Sequence, residues 1–178
     1  QELRTELEKR FDHISIDWLE GDDLFAMLAD KIPNSVVVSI DKDMHTLPDI
    51  EYLRPHVMAW PVQQSKDFAD HYWLYQVLIG DSTDGYKGLQ GCGPKGAEKL
   101  LAPFMDIGID DDGQSTHTFD FDGAWSAVVA AYRAKGQDNY LEQAQMARIL
   151  RVGDYDSQLK RIRLFNPEEE QWLQLPKK

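Results

Sequence analysis

Three tight clusters of acids carry the first chemical signal: Glu20-Gly21-Asp22-Asp23, Asp41-Lys42-Asp43 and Asp81-Ser82-Thr83-Asp84. Three acids within four residues repel one another unless a cation is shared. Asp41 and Asp43, at alternate positions, can point the same way and converge on one ion. Asp81 and Asp84, three apart, share a side if their turn is helical. Hard all-oxygen ligands of this kind suit Mg²⁺ or Mn²⁺ rather than Zn²⁺, and no His–Cys spacing of zinc type is present. Each cluster also has a plainer reading. An acid in a first helical turn caps the helix dipole, Asp41–Asp43 fits a solvated turn, and Asp81 fits an N-cap. The run Asp110-Asp111-Asp112-Gly113 imitates a calcium loop, but Phe119 stands where the bidentate Glu belongs, so it reads as a solvated acidic loop.

The second signal is Leu89-Gln90-Gly91-Cys92-Gly93-Pro94-Lys95-Gly96-Ala97-Glu98-Lys99-Leu100. Pro94 suits a first helical position. Ala97 and Leu100 can face back to a core, so the stretch looks like a helix–hairpin–helix element. Gly91 and Gly93 let the backbone approach a phosphate, and the N–H groups at the helix start point at it. Lys95 and Lys99, one turn apart, add positive charge. Contacts to backbone rather than bases predict binding without sequence preference. A dinucleotide-binding turn is the rival, but a helix rather than a strand precedes this loop.

The elements that must hold these residues follow from hydrophobic spacing. Helices are expected over 2–11, 23–32, from Ser65 to the glycine loop at 80–93, over 95–101, over 124–134 before Gly136, and over 139–150. Strands are expected over His13–Leu19, over the Val-rich run 36–40, over 56–60 and over 161–165. The Val-rich run fits a strand buried on both faces of a parallel sheet. Residues 106–118 read as an exposed polar excursion, and 167–173 as a last helical turn. Strand–helix–strand followed by helices implies an α/β sheet portion joined to a helical region. Two acidic clusters lie beyond predicted strand ends, where open α/β sheets build their sites.

Bulk properties narrow the class. The 178 residues are 42% hydrophobic, enough for a real core, and one domain, or one domain with a small appendage, is expected. No apolar run reaches a membrane span, no signal peptide is visible, and the single Cys92 suits a reducing cytoplasm. The net charge of −12 is the wrong sign for a polyanion binder, so nucleic-acid contact must come from local patches, bound cations or a further segment. Arg148 with Arg151, and Lys160 with Arg161 and Arg163, are candidate backbone contacts. Ion pairing with the many acids is at least as good a reading. Trp73, Tyr75, Trp125 and Tyr132 read as core. The chain starts at Gln1, which suggests trimming, processing or upstream sequence.

The order Glu-Gly-Asp-Asp, Asp-Lys-Asp after a hydrophobic strand, then Gly80-Asp81-Ser82-Thr83-Asp84-Gly85-Tyr86 leading into a Gly-x-Gly hairpin resembles the 5′ nuclease superfamily. That superfamily holds flap endonucleases and 5′→3′ exonuclease domains. The stretch Gln145-Met146-Ala147-Arg148-Ile149-Leu150-Arg151 extends the likeness to exonucleases of short-tailed bacteriophages, so the resemblance covers about Ile14 to Phe165. It implies that Glu20, Asp22, Asp23, Asp41, Asp43, Asp81 and Asp84 are metal ligands for two Mg²⁺ or Mn²⁺ ions, with Asp22, Asp23, Asp41 and Asp43 catalytic. It implies that Gly91, Gly93, Lys95 and Lys99 grip duplex DNA, with a monovalent cation such as K⁺ at the hairpin. Two ions would flank the scissile phosphate, one generating hydroxide and the other stabilising the leaving oxygen. The implied fold is a partial PIN-like parallel sheet with flanking helices (1–64, the C-terminal part of an α/β catalytic core), then a helix–hairpin–helix DNA-binding region with a C-terminal extension (65–178). Family members also carry an N-terminal portion with further Asp residues and a basic arch, so a missing N-terminal half or a companion polypeptide is expected. The implied activity is 5′→3′ exonuclease or flap cleavage, in the cytoplasm, the host's if the chain is viral. The competing readings are a non-catalytic DNA-binding module, in which the acids only cap helices, and an acidic interaction protein without DNA contact.

Overall fold

A computed structural model describes residues 2–109 and 115–176. Two hydrophobic cores organise the chain. The larger forms on α3 (Lys66–Ile79), whose Trp73, Leu74, Val77 and Leu78 pack against α4 (Pro94–Leu101), α5 (Phe121–Ala134) and α6 (Tyr140–Met146). The aromatic set proposed as core lies here, with Trp73, Trp125 and Tyr132 buried and Tyr75 packed against the cluster. The smaller core gathers Ala26 of α2 (Asp23–Lys31), Val37, Met44, Leu47, Ile50, Tyr52 and Ile149. Ser65 caps α3 by accepting from Phe68 N, and Gly136, at φ 69°, follows the end of α5.

The sheets are small. β1 (Val37–Val38) runs parallel to β2 (Glu51–Leu53), and β2 antiparallel to β3 (Val62–Gln63). β4 (Met105–Ile109) and β5 (Ser115–Phe119) form a hairpin. β6 (Tyr155–Asp156), β7 (Arg161–Leu164) and β8 (Gln171–Gln174) form an antiparallel sheet. The architecture is therefore mixed α/β, with six helices and three small sheets among the described residues. No helix among the described residues is long and apolar enough to cross a membrane.

Several sequence expectations need correction. His13–Leu19 is not a strand: Ile14 is exposed, Trp18 has φ 72°, and no partner strand pairs with the segment among the described residues. Alternation without a partner does not make a ladder. The Val-rich strand shrinks to two residues, and it is not buried on both faces, since Val38 and Ile40 are exposed. Residues 56–60 form turns, with His56 at φ 68°, while the strands fall on either side. The polar excursion is the β4–β5 hairpin, whose alternating Ile107 and Ile109 are exposed; the acidic run 110–113 lies outside the described residues. The supposed last helical turn contains strand β8, because its partner β7 accepts it. The last predicted helix stops at Met146, and beyond it Arg148 and Arg151 are held in ion pairs. The region after Ser65 is accordingly not purely helical.

A candidate divalent-cation site beside a glycine hairpin

Asp41 follows β1 and opens a 3-10 turn, Lys42–Thr46, by accepting from Asp43 N at 2.9 Å. This turn packs on α3, which ends at Gly80 and delivers Asp81. The third cluster is shaped by a close backbone crossing. Gly80 and Gly88 both have positive φ, and a Cβ on Gly88 would lie 2.4 Å from Gly80 N, with Ile79 C and Leu78 O at 2.7 Å. All three are backbone atoms that cannot yield. Asp81 and Tyr86 then exchange two backbone hydrogen bonds, 2.9 and 3.0 Å, closing the acidic turn.

The second and third clusters meet, although 39 residues separate Lys42 from Asp81. Lys42 Nζ donates to Asp81 Oδ2 at 2.6 Å and to Asp43 Oδ1 at 3.0 Å. Gln76 Nε2, from buried α3, also donates to Asp43 Oδ1. Burial works against the Lys42 ammonium, but the hydrogen bonds to Asp81 and Asp43 win and hold it above its ordinary range. The hydrogen bond from Lys42, aided by the one from Thr83 N, holds the Asp81 carboxyl below the usual carboxylate range. Asp84 is pushed the other way, first by desolvation and then by the charges of Asp81, Asp43 and Asp41.

The first cluster is placed differently. Asp22 caps α2, accepting from Asp23 N at 3.0 Å. Asp23 Oδ1 accepts from Leu150 N at 3.1 Å, and its Oδ2 from Glu20 N at 3.3 Å. The Asp22 carboxyl is raised by burial, then by the charge of Asp23. No hydrogen bond or ion pair among the described residues links Glu20, Asp22 or Asp23 to the other two clusters, and no three acids, His or Cys there stand as a ready metal cage.

Three observations bear on whether the converged acids fit a cation. The donors are hard carboxylate oxygens; an ammonium already stands among them; and Gln76 Oε1, beside Asp43, is buried without a hydrogen-bond partner. These fit a hydrated hard divalent cation held by Asp43 and Asp81, with Asp84 and Asp41 supplying charge. Sequence reading passed over Gln76. Its one signal is a lone amide inside the apolar run Trp73–Ile79. A cleft of about 750 Å³ elsewhere is lined by Lys66, Arg148, Arg151 and Arg163 but by none of the seven acids.

The glycine-rich loop expected to be the hairpin lies between α3 and α4. Gly91, Gly93, Lys95 and Lys99 are all exposed, and a Cβ on Gly91 or Gly93 would meet nothing within 4 Å. No side chain caps α4. Two glutamines missed in the sequence fix the loop from beneath. Gln143 Oε1 accepts from Lys87 N and Gly88 N at 2.9 and 2.8 Å, and Gln137 Oε1 accepts from Gln90 N at 2.7 Å. Gly88→Ala is expected to lose roughly 2–4 kcal/mol in urea unfolding through the backbone clash and positive φ. Gly91→Ala, strained but open, should lose only about 1–2 kcal/mol.

Four of the basic residues near the C-terminus are held in ion pairs. Arg148 and Arg163 pair with buried Asp154, Arg151 with buried Asp70, and Arg161 with Asp156.

No family model matches the chain. Similar sequences do exist. It is 29% identical over 172 residues to an exonuclease of Escherichia phage T7, covering 84% of this chain and 56% of the relative. The same figures hold for an exodeoxyribonuclease of Enterobacteria phage T3. A flap endonuclease Xni of Shewanella sediminis is 31% identical over 99 residues, 49% of this chain and 39% of that protein. The chain thus spans little more than half the length of the phage relatives, matching their C-terminal part. The proteins this chain is similar to are thus phage exonucleases and bacterial flap endonucleases, in line with its resemblance to the 5′ nuclease superfamily.

Proposed function

We propose that the chain is the C-terminal part of a divalent-metal-dependent 5′→3′ nuclease, an exonuclease or flap endonuclease that hydrolyses phosphodiester bonds of duplex DNA. The observation that carries this reading is the meeting of Asp43 and Asp81 around one cation position, with Asp41 and Asp84 close enough to act on it electrostatically. In this reading Asp43 and Asp81 hold Mg²⁺ or Mn²⁺, Gln76 orients Asp43, and Glu20, Asp22 and Asp23 serve a second ion. Bound there, such cations supply Lewis-acid activation of the phosphodiester and of the attacking water. The chain's own part is to hold charge and orient DNA. Gly91 and Gly93 leave room for a phosphate, the start of α4 faces it, and Lys95 and Lys99 add charge, with a K⁺-like ion at the hairpin as a further element. The remaining acids of a complete site would come from an N-terminal portion or companion polypeptide. Its place of action would be the cytoplasm.

A second reading, a non-catalytic DNA-binding module, draws support from the first two clusters: Asp22 and Asp41 act as caps and Asp23 docks Leu150. Duplex DNA labelled at its 5′ end separates the two. With Mn²⁺, the nuclease reading expects release of labelled mononucleotides or short oligonucleotides. Retention of the label by tightly bound duplex, even with the N-terminal portion restored, favours the module. For either reading the hairpin predicts salt-dependent binding. Lys95→Ala and Lys99→Ala should each lower the slope of log affinity against log salt by about 1, equally for all sequences. An unchanged slope would remove the hairpin from the interface.

A further inference from the structure

Lys42 has no role in the reading above, yet its ammonium stands where that reading puts a divalent cation. It bridges Asp81 Oδ2 and Asp43 Oδ1 at 2.6 and 3.0 Å, joining the turn after β1 to the turn after α3. A divalent ion bound to these carboxylates would sit about 2.1 Å from the same oxygens. Ammonium and cation therefore compete for the same lone pairs and repel each other. Lys42 also has somewhere to go. Its side chain is 43% exposed, and its flexible four-carbon stem can swing the charge to water. Gln76 is different: it is buried on α3 and donates to Asp43 from there.

We propose that Lys42 is a displaceable internal counterion. Its ammonium holds Asp43 against Asp81 in the cation-free chain and is expelled when Mg²⁺ or Mn²⁺ enters, so that cation binding is an exchange. This rests on the reading of Asp43 and Asp81 as cation ligands. The exchange keeps the acids from repelling one another before loading, and it weakens the site by the strength of the pair that must break.

Calorimetric titration of the full chain with Mn²⁺ tests this. Lys42→Met is expected to bind Mn²⁺ about twofold to fivefold more tightly, the scale of a half-exposed ion pair. Without cation the variant should melt below the wild type, and saturating Mn²⁺ should raise its melting temperature by more. Equal or weaker Mn²⁺ binding by the variant, with the wild type still binding, overturns the proposal and leaves the ligand reading standing. No Mn²⁺ uptake by either chain overturns both. Should Lys42→Met fail to fold, the unmodified chain decides by NMR. Mg²⁺ should move the Lys42 Cε–H resonances to those of a solvated lysine, and resonances unmoved at saturation would overturn the proposal.

Discussion

Asp43→Asn combined with Asp81→Asn is expected to weaken Mn²⁺ binding by at least about a hundredfold, the upper end of what loss of mere supporting groups produces. Both side chains keep their shape, and Asn can still accept from Gln76 and Lys42. What disappears is two negative charges where the turn after β1 and the turn after α3 bring acids together. The fold should hardly notice. The pairs broken involve a Lys42 that is 43% exposed, and such pairs contribute about 0–1 kcal/mol. Metal affinity and stability should therefore separate. Calorimetry should show the loss while urea unfolding in the absence of metal stays within about 1 kcal/mol of the wild type. Retained affinity would move the ion away from these residues.

The opposite pattern is expected at Asp154. This buried carboxylate accepts from Arg163 Nε and Nη2 at 3.0 and 2.9 Å, from Arg151 N at 3.0 Å and from Arg148 Nη1. Arg148 and Arg151 also lie over the Trp73 ring, at 5.5 and 5.6 Å from its centre. Arg151 continues the network, donating to Asp70 on α3 and to Thr46 O at the end of the 3-10 turn that carries Asp43. Asp154→Ala leaves Arg148 buried without its carboxylate. Removing one partner of a buried pair costs about 3–5 kcal/mol, a large share of the stability of a small domain. Urea unfolding should show that loss, and a change below about 1 kcal/mol would mean that the network is solvated. Because Arg151 ties the 3-10 turn to α3, Mn²⁺ affinity should fall as well, by less than in the double Asn variant.

The two predictions expose what a linear sequence can reveal. The acids and hairpin glycines were legible because their chemistry is local: spacing of two or three residues, and a Gly-x-Gly before a proline. Which acids meet was not. The link from Lys42 to Asp81 spans 39 residues and that from Gln76 to Asp43 spans 33, so neither leaves a periodic trace. The glutamines that fasten the hairpin loop escaped for the same reason. The long helices were readable because α3 and α5 each bury a continuous face. Short strands were not, since for two to five residues the partner decides and alternation does not. Ile14 and Ile16 alternate but have no partner strand among the described residues, whereas Gln171–Gln174 forms a strand because β7 lies beside it. For the C-terminal arginines the sequence left ion pairing and phosphate contact open, because their partners Asp70 and Asp154 are identified only by the fold.

Crystals of the chain soaked in Mn²⁺, measured near the manganese absorption edge, test the central claim most directly. An anomalous peak within about 2.5 Å of carboxylate oxygens of both Asp43 and Asp81 is the predicted result. Saturating Mn²⁺ with no peak between those two carboxylates would contradict it.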